Sequence, residues 1–348
     1  MACKWFTARA ALFAGVLLGW GLSAPASRAA DQALIAAAQK EGSLTWYTTL
    51  IVDQFVRPAA AAFEKKYGVK VNYVRADHND VMLRILNEGK AGRMQADLFD
   101  GFSQVVTLDK EGMVLRWSPD AAKRFPKHLY DPEGRWIATN LYVLTPGFNT
   151  DLVPKGTEPR TFEDLLNPKW KGKMAWSSNV SASGSAGFIG TVLTHMGEEK
   201  GMAYLNKLAA QNITGVRVSA RQLLDLVIAG EYAIGLQIFN YHPGISAAKG
   251  AHVDWIKMEP ALAALGAVSI TKPAPHENAA KLFLDFLTSP EGQQLFREAD
   301  YMPVDPDVLP RDPSLRPDGV NFKATYMTPF EIDSQVSKWA KIYDQLFK

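Results

Sequence analysis

Apolar and polar positions along the chain follow two periods in turn. Short runs at 43–47 and 69–74 read as strands, and a longer stretch at 52–67 carries its apolar residues on one helical face. A helix predicted at 80–88 and a strand predicted at 96–100 continue the alternation. Strands that alternate with helices at this spacing predict an α/β fold with a mainly parallel sheet.

Such sheets bind ligands at the loops beyond the carboxyl ends of their strands. The residues at these ends are therefore candidate ligand contacts. They are Thr48 and Thr49 after the first strand, and Gly101, Phe102 and Ser103 after the third.

Two later apolar stretches, at 136–149 and 263–271, are each long enough to pass from one lobe to another. Between them we predict a helix at 187–196, a helix at 223–229 and a strand at 232–239. Three more helices close the chain, at 277–287, 290–298 and 330–347. A chain of this length usually divides into two domains, because single cores stop growing near 250 to 300 residues.

The first residues have the three parts of a secretory signal. Lys4 and Arg9 precede an apolar run at 10–22, and small residues follow it. The run is too short to favour a membrane span, which needs roughly 20 apolar residues. We expect cleavage after Ala26 or Ala29 and a periplasmic location for the mature protein.

Loss of this signal changes the composition. The single cysteine, Cys3, lies within it, so we expect a mature chain without disulfides, cysteine-bound metals or thiol nucleophiles. Removing Lys4, Arg9 and Arg28 from 38 basic side chains leaves 35 against 36 acidic ones, a net charge of −1. A near-neutral chain without basic clusters argues against nucleic acid or an anionic membrane as partner.

Common enzyme motifs do not occur in the sequence: there is no GxSxG, HExxH, P-loop or GxGxxG in a strand-to-helix context. The histidines show no metal-ligand spacing, and we expect most of them at the surface. They are His78, His128, His195, His242, His252 and His276.

A segment rich in serine and glycine, 177–187, precedes one of the predicted helices. Here the hydroxyls of Ser183 and Ser185 and the backbone N–H groups around Gly184 meet at a helix start, where the helix dipole favours an anion. The alternative is a flexible loop with an ordinary serine N-cap.

Asn240, Tyr241 and His242 follow a predicted strand and form a second candidate site. Their oxygen and nitrogen atoms suit a hard metal ion or hydrogen bonds to an organic ligand. The alternative for His242 is a satisfied turn residue before Pro243. Aromatic residues at predicted strand ends are candidates either for stacking on a ligand or for the core: Tyr47, Phe102 and Tyr142.

Several short segments, in order along the chain, resemble the periplasmic binding proteins of ABC importers, in particular the group that includes ferric-ion-binding proteins. The segments are 44–47, 63–71, 87–89, 96–99, 183–184, 229–235 and 286–293. This resemblance implies a type II fold of two α/β lobes joined by two crossover strands, with the ligand in the cleft between them. We expect residues 1–29 to be the signal peptide, 30–138 with 264–348 to form lobe 1, and 139–263 to form lobe 2.

The resemblance also implies roles for individual residues. Ser183 and Gly184 match the corner that holds an anion, and Asn240 and Tyr241 match the start of an Asn-Tyr-Tyr segment that binds iron. The second tyrosine is replaced by His242, and Ile51 stands where some iron binders have a metal-binding histidine. Tyr241, His242 and Glu88 form the remaining candidate metal site.

The sequence therefore predicts a monomeric periplasmic receptor that delivers a small ligand to an ABC permease and carries no resident cofactor. Two ligand classes remain open: ferric ion with a synergistic anion, and a small organic or phosphorylated anion. Two other functions also remain open, an extracytoplasmic enzyme with His242 as its base and a sensor domain for a membrane kinase.

Overall fold

The computed structural model describes Met1 and residues 26–348. The predicted signal run at 10–22 lies outside the described residues. Among the helices that are described, none combines the length and the apolar character needed to cross a bilayer.

Eleven α-helices and eleven strands are assigned in the described part of the chain. The helices are α1 (Ala26–Glu41), α2 (Arg57–Tyr67), α3 (His78–Lys90), α4 (Gln104–Lys110), α5 (Ser185–Met196), α6 (Glu198–Ala209), α7 (Ala220–Ile228), α8 (His242–Ala247), α9 (Glu277–Thr288), α10 (Pro290–Glu298) and α11 (Pro329–Phe347). The strands are β1 (Ser43–Thr48), β2 (Lys70–Arg75), β3 (Leu98–Gly101), β4 (Ile137–Asn149), β5 (Met174–Ser177), β6 (Thr214–Val216), β7 (Ile234–Phe239), β8 (Val253–Trp255), β9 (Ala261–Ile270), β10 (Met302–Pro303) and β11 (Ala324–Met327).

Local sequence signals explain where many of these elements begin and end. A π-helical turn at Val52–Val56 leads into α2, which ends at Gly68 because glycine accepts the left-handed conformation there (φ 71°). Helix α10 begins with Pro290 in its first turn, and the Ser289 hydroxyl accepts a hydrogen bond from Gly292 N. Helices α7 and α11 both start with capping boxes.

The sheet differs from the prediction of a mainly parallel arrangement. Its strands run in the order β2-β1-β3-β9-β4-β7-β5-β6, with β8 and β10 paired to β4 and β11 paired to β9. Strands β1, β2 and β3 are parallel to one another, as are β5, β6 and β7. The two predicted crossover stretches form β4 and β9, which pair with their neighbours β3 and β7 antiparallel and make the sheet mixed.

Two main cores lie on either side of these central strands. We call the half around β1–β3 lobe 1 and the half around β5–β7 lobe 2. Aromatic rings fill the lobe 1 core: Phe55 stacks on Phe296 with ring centroids 3.9 Å apart, and Trp46 meets Phe283 edge-on at 5.3 Å. In lobe 2, Trp176 contacts Phe188 at 5.9 Å.

The last helix does not follow the expected assignment of residues 264–348 to lobe 1. Buried residues Ile332, Trp339 and Tyr343 of α11 belong to the lobe 2 core. The Tyr343 ring lies 5.8 Å from that of Trp176. The chain thus returns to lobe 2 after α10, because the apolar stripe of α11 is buried there.

Candidate functional site

The strand register brings the carboxyl ends of the two lobes' strands face to face. Gly101, at the end of β3, pairs with Ala267, which pairs with Ala138 of β4. Phe239, at the end of β7, pairs with Leu144 of β4. Strands β3 and β7 therefore point toward each other along β4. Six residue steps separate positions 138 and 144, about 20 Å along a strand, and this interval forms the floor of a cleft between the lobes.

The lobe 1 wall is built around a buried carboxylate. Asp100 accepts hydrogen bonds from the Trp46 indole N–H at 2.9 Å, and from the Thr49 backbone N–H at 2.8 Å and hydroxyl at 2.6 Å. Burial raises its pKa, and these donors oppose the rise. Thr48 is fully buried. Asp100 therefore orients the end of β1. The side chains of Thr48 and Thr49, both predicted ligand contacts, hydrogen-bond this carboxylate.

Aromatic side chains cover the floor. Tyr142 of β4 lies at its centre, 5.0 Å from the Phe102 ring, 5.3 Å from that of Phe239 and 6.3 Å from that of Tyr301. Tyr241 lies 6.1 Å from Tyr301. Burial raises the pKa of Tyr142 and Tyr241 well above that of free tyrosine, and raises the pKa of Tyr301 to about 12. These phenols are therefore neutral in the described structure.

The serine-rich segment forms the corner of the lobe 2 wall. It connects β5 to α5, and its hydroxyls of Ser181 and Ser183 lie 3.2 Å apart. Helix α5 begins after Gly184, which offers no side chain to cap its first N–H groups, and Ser185 is buried. Because β5 and β7 are parallel neighbours, the start of α5 lies at the same edge of the sheet as Asn240 and Tyr241, which follow β7.

The segment after β7 holds two buried polar atoms that have no hydrogen-bond partner in the described chain: Asn240 Oδ1 and His242 Nδ1. The Asn240 side-chain amide donates to the Leu315 carbonyl at 2.9 Å. His242 starts α8 instead of lying in a turn, and burial, with a smaller effect of Arg221, lowers its pKa to about 3. A pocket of about 200 Å³ lies between the lobes beside Tyr241 and is lined also by Tyr301.

Glu88 is not available as a metal ligand in this arrangement. Its Oε1 accepts hydrogen bonds from the Tyr47 hydroxyl at 2.6 Å and from Arg84 Nε at 3.0 Å, and its Oε2 accepts one from Gln95 N at 2.9 Å. Burial raises its pKa, but these three donors outweigh burial and lower it. Tyr47 is itself buried in the lobe 1 core. Across the described residues, no group of three or more His, Cys, Asp or Glu could hold a metal ion.

Sequence reasoning missed three residues of the cleft. His78 was expected at the surface, but its ring packs on Phe102 at 4.8 Å. It follows the end of β2, so the strand-end rule that selected Thr48 would also have found it. Arg75 is the last residue of β2, level with Thr48. Tyr301 carries no signal in its local sequence, since only the fold brings its hydroxyl to Ile51, whose backbone N–H donates to it at 3.3 Å.

Ser103, a predicted ligand contact, precedes α4 and makes no capping hydrogen bond with its side chain.

This cleft, between two α/β lobes joined by long central strands, is typical of proteins that capture a solute by closing around it. Residues 96–320 match the family described as bacterial extracellular solute-binding protein. The match covers more than half of the chain, so the protein belongs to this family and is a solute-binding protein of the type that serves ABC importers.

Individual relatives are named for different ligands. The chain is 28% identical over 286 residues to a putative 2-aminoethylphosphonate-binding periplasmic protein of Salmonella paratyphi A, covering 78% of both chains. It is 22% identical over 253 residues to an Fe(3+)-binding periplasmic protein of Serratia marcescens, covering 70% of this chain and 73% of that one. The fold matches that of the periplasmic binding protein AfuA of Actinobacillus pleuropneumoniae, solved with exogenous fructose-6-phosphate, with a TM-score of 0.70, 22% identity and coverage of 88% and 98%.

Proposed function

We propose that this protein is the periplasmic receptor of an ABC importer for a small organic anion that carries a phosphate or phosphonate group. The observation that carries the proposal is the start of α5. There the helix N-terminus, which has no side-chain cap, and the hydroxyls of Ser183 and Ser185 lie at the same sheet edge as His242, whose Nδ1 has no hydrogen-bond partner among the described residues.

An anion at this corner would satisfy groups that the protein leaves open. Backbone N–H groups at a helix start and serine hydroxyls are donors that suit phosphate oxygens. Arg221, which donates to Ser246 at 2.9 Å and to Asp225 at 2.7 Å, adds positive charge close to His242. Two printed descriptions support this ligand class: one relative is named as a putative phosphonate-binding protein, and one protein of the same fold was solved with a sugar phosphate.

The arrangement suits ferric ion less well. A hard trivalent ion favours charged oxygen ligands. Here His242 replaces the second tyrosine of the iron-binding segment, and the carboxylate of Glu88 accepts hydrogen bonds from Tyr47 and Arg84. That leaves Tyr241 as the only one of the three candidate metal ligands with an oxygen free for the ion. The aromatic floor around Tyr142 instead offers apolar surface to the organic part of a ligand.

Calorimetric titration of ligand-free protein tests the proposal. We expect heat of binding with 2-aminoethylphosphonate or with a hexose phosphate, with the ligand recovered chemically unchanged. Ferric citrate is expected to give neither heat beyond that of citrate alone nor a visible tyrosinate charge-transfer band. Binding of ferric ion with such a band, or turnover of the organic ligand, would overturn the proposal.

Substitution of Tyr241 by Phe separates the two ligand classes. It removes one hydroxyl and leaves the packed ring, so an organic anion is expected to bind less than about tenfold more weakly, the worth of one hydrogen bond. A protein that binds iron through this phenol would lose more than a hundredfold. Tyr232→Phe, at a half-buried tyrosine of the same lobe before β7, is the matched control and should bind as the wild type does.

A further inference from the structure

A continuous series of ring contacts joins the two lobes. The His78 ring lies 4.8 Å from Phe102, Phe102 lies 5.0 Å from Tyr142, Tyr142 lies 5.3 Å from Phe239, and Phe239 lies 5.2 Å from His242. The series begins at the end of β2 in lobe 1, crosses the cleft floor on β4, and ends at the start of α8 in lobe 2. We call it the aromatic bridge.

Both ends of the aromatic bridge are histidines in the same unusual state. Nδ1 of His78 and Nδ1 of His242 are buried, and within the described chain neither has a hydrogen-bond partner. Buried polar atoms are rarely left unpaired, and an unpaired one in a native structure needs an explanation such as a missing ligand. Burial lowers the pKa of His78 to about 4, with opposing effects of Asp77, which raises it, and Arg75, which lowers it further.

The surroundings of His78 favour an acidic or hydroxyl group of a ligand. His78 is the first residue of α3, a helix of 13 residues whose N-cap residue, Asp77, makes no side-chain capping bond. Arg75 stands three residues earlier. Its guanidinium lies 3.5 Å from the Asp77 carboxylate, a longer separation than that of a charged hydrogen bond. On its other side the ring packs on Phe102, which does not titrate, and a Cβ atom placed on Gly101 would lie 3.6 Å from His78 Nδ1.

We propose that His78 is a ligand-binding residue, whose imidazole hydrogen-bonds the end of the ligand opposite to the group held at α5. This inference rests on the proposed function and deepens it. The ligand has two polar ends, one acidic group on lobe 2 and a second hydrogen-bonding oxygen on lobe 1, with its apolar part along the aromatic bridge. Contact with both histidines explains how one small molecule draws the lobes together.

Proton uptake on ligand binding distinguishes a ligand contact from a purely structural role for His78, because a structural role would leave the uptake unchanged. An anionic oxygen at the imidazole favours the protonated ring, so binding raises the pKa of His78 from about 4 and the affinity increases as the pH falls toward that value. The slope is limited to tenfold per pH unit for one proton. Titration at pH 5.5 in two buffers of different ionisation enthalpy measures the protons taken up.

We expect His78→Gln to lower the affinity for 6-phosphogluconate, which carries a phosphate at one end and a carboxylate at the other, about tenfold and to lower the proton uptake relative to the wild type. Glutamine retains a donor but takes up no proton. The matched control is His128→Gln: burial also lowers the pKa of His128, and its ring packs on Tyr326 at 4.2 Å, away from the cleft. The control should keep both the affinity and the proton uptake.

Unchanged affinity and proton uptake in a folded His78→Gln protein would overturn the inference. If that variant unfolds, His78→Asn replaces it, and the same two quantities are measured. If the wild type binds none of 2-aminoethylphosphonate, a hexose phosphate and 6-phosphogluconate, the proposed function fails separately. Binding of 2-aminoethylphosphonate alone would contradict the inference about His78 and not the proposed function, because the end of that ligand opposite to its phosphonate is an ammonium group and not an oxygen. Native mass spectrometry then decides on His78, because a ligand retained by purified wild-type protein must be lost from the variant, and its retention contradicts the inference.

Discussion

Gly184→Ala is expected to weaken ligand binding more than a hundredfold. A Cβ atom at this position would overlap the backbone carbonyl oxygen of Asn179, and a backbone atom cannot move aside as a flexible side chain can. The segment before α5 must therefore shift, and the first N–H groups of the helix no longer meet the anion. Since such sites are sensitive to displacements of about 1 Å, we expect calorimetry to show little or no remaining heat of binding.

Gly244→Ala is the control for this substitution. Gly244 lies in α8, beside the other half of the site, and a Cβ there meets no atom within 4 Å. Its affinity should equal that of the wild type. Wild-type affinity in Gly184→Ala, with thermal unfolding also unchanged, would show that the start of α5 does not bind the ligand.

Local periodicity predicted most of the secondary structure, because helices and strands record their burial in the spacing of apolar residues. The strand predicted at 43–47 and the helix predicted at 290–298 are confirmed by β1 and α10. The direction of pairing was not readable in the same way. A run such as Ile137–Asn149 looks the same whether its neighbours are parallel or antiparallel, so the mixed sheet became visible only in the structure.

The position of the C-terminal helix shows a second limit of sequence reasoning. The apolar stripe of α11 predicts that one face is buried, but it does not say against which lobe. Trp339 and Tyr343 are buried in lobe 2, whereas α9 and α10, which precede them in sequence, pack in lobe 1. The choice depends on shape complementarity between distant segments.

The residues of the candidate site also divide into those that the local sequence reveals and those whose role depends on contacts with distant segments. Strand-end reasoning selected Thr49 and Tyr241, since a polar or aromatic residue after an apolar run is visible in the sequence. The role of Glu88 depended on partners far away in sequence, and the hydrogen bond from Tyr47, 41 residues distant, changes it from a candidate ligand into a structural carboxylate. His78 was overlooked although it follows a predicted strand, because a histidine without metal-ligand spacing was expected at the surface.

Gln293→Met is expected to have the largest effect on stability. The Gln293 side chain is fully buried, and its Nε2 donates to the carbonyl oxygens of Thr139 and Leu287, both at 2.9 Å. Its Oε1 accepts from Val304 N at 2.8 Å and Asp305 N at 3.1 Å. One amide thus ties α10 to the crossover strand β4 and to the chain after β10.

Methionine has a similar length but leaves two carbonyl oxygens and two N–H groups unpaired. Each unpaired buried group costs about 1–3 kcal/mol, so we expect the free energy of unfolding to fall by about 4 kcal/mol or more, measured by urea denaturation. Gln294→Met, at the neighbouring half-buried glutamine of the same helix, should change it by less than about 1 kcal/mol. Equal losses in the two variants would mean that the cost comes from helix α10 in general and not from the buried amide that anchors it to β4.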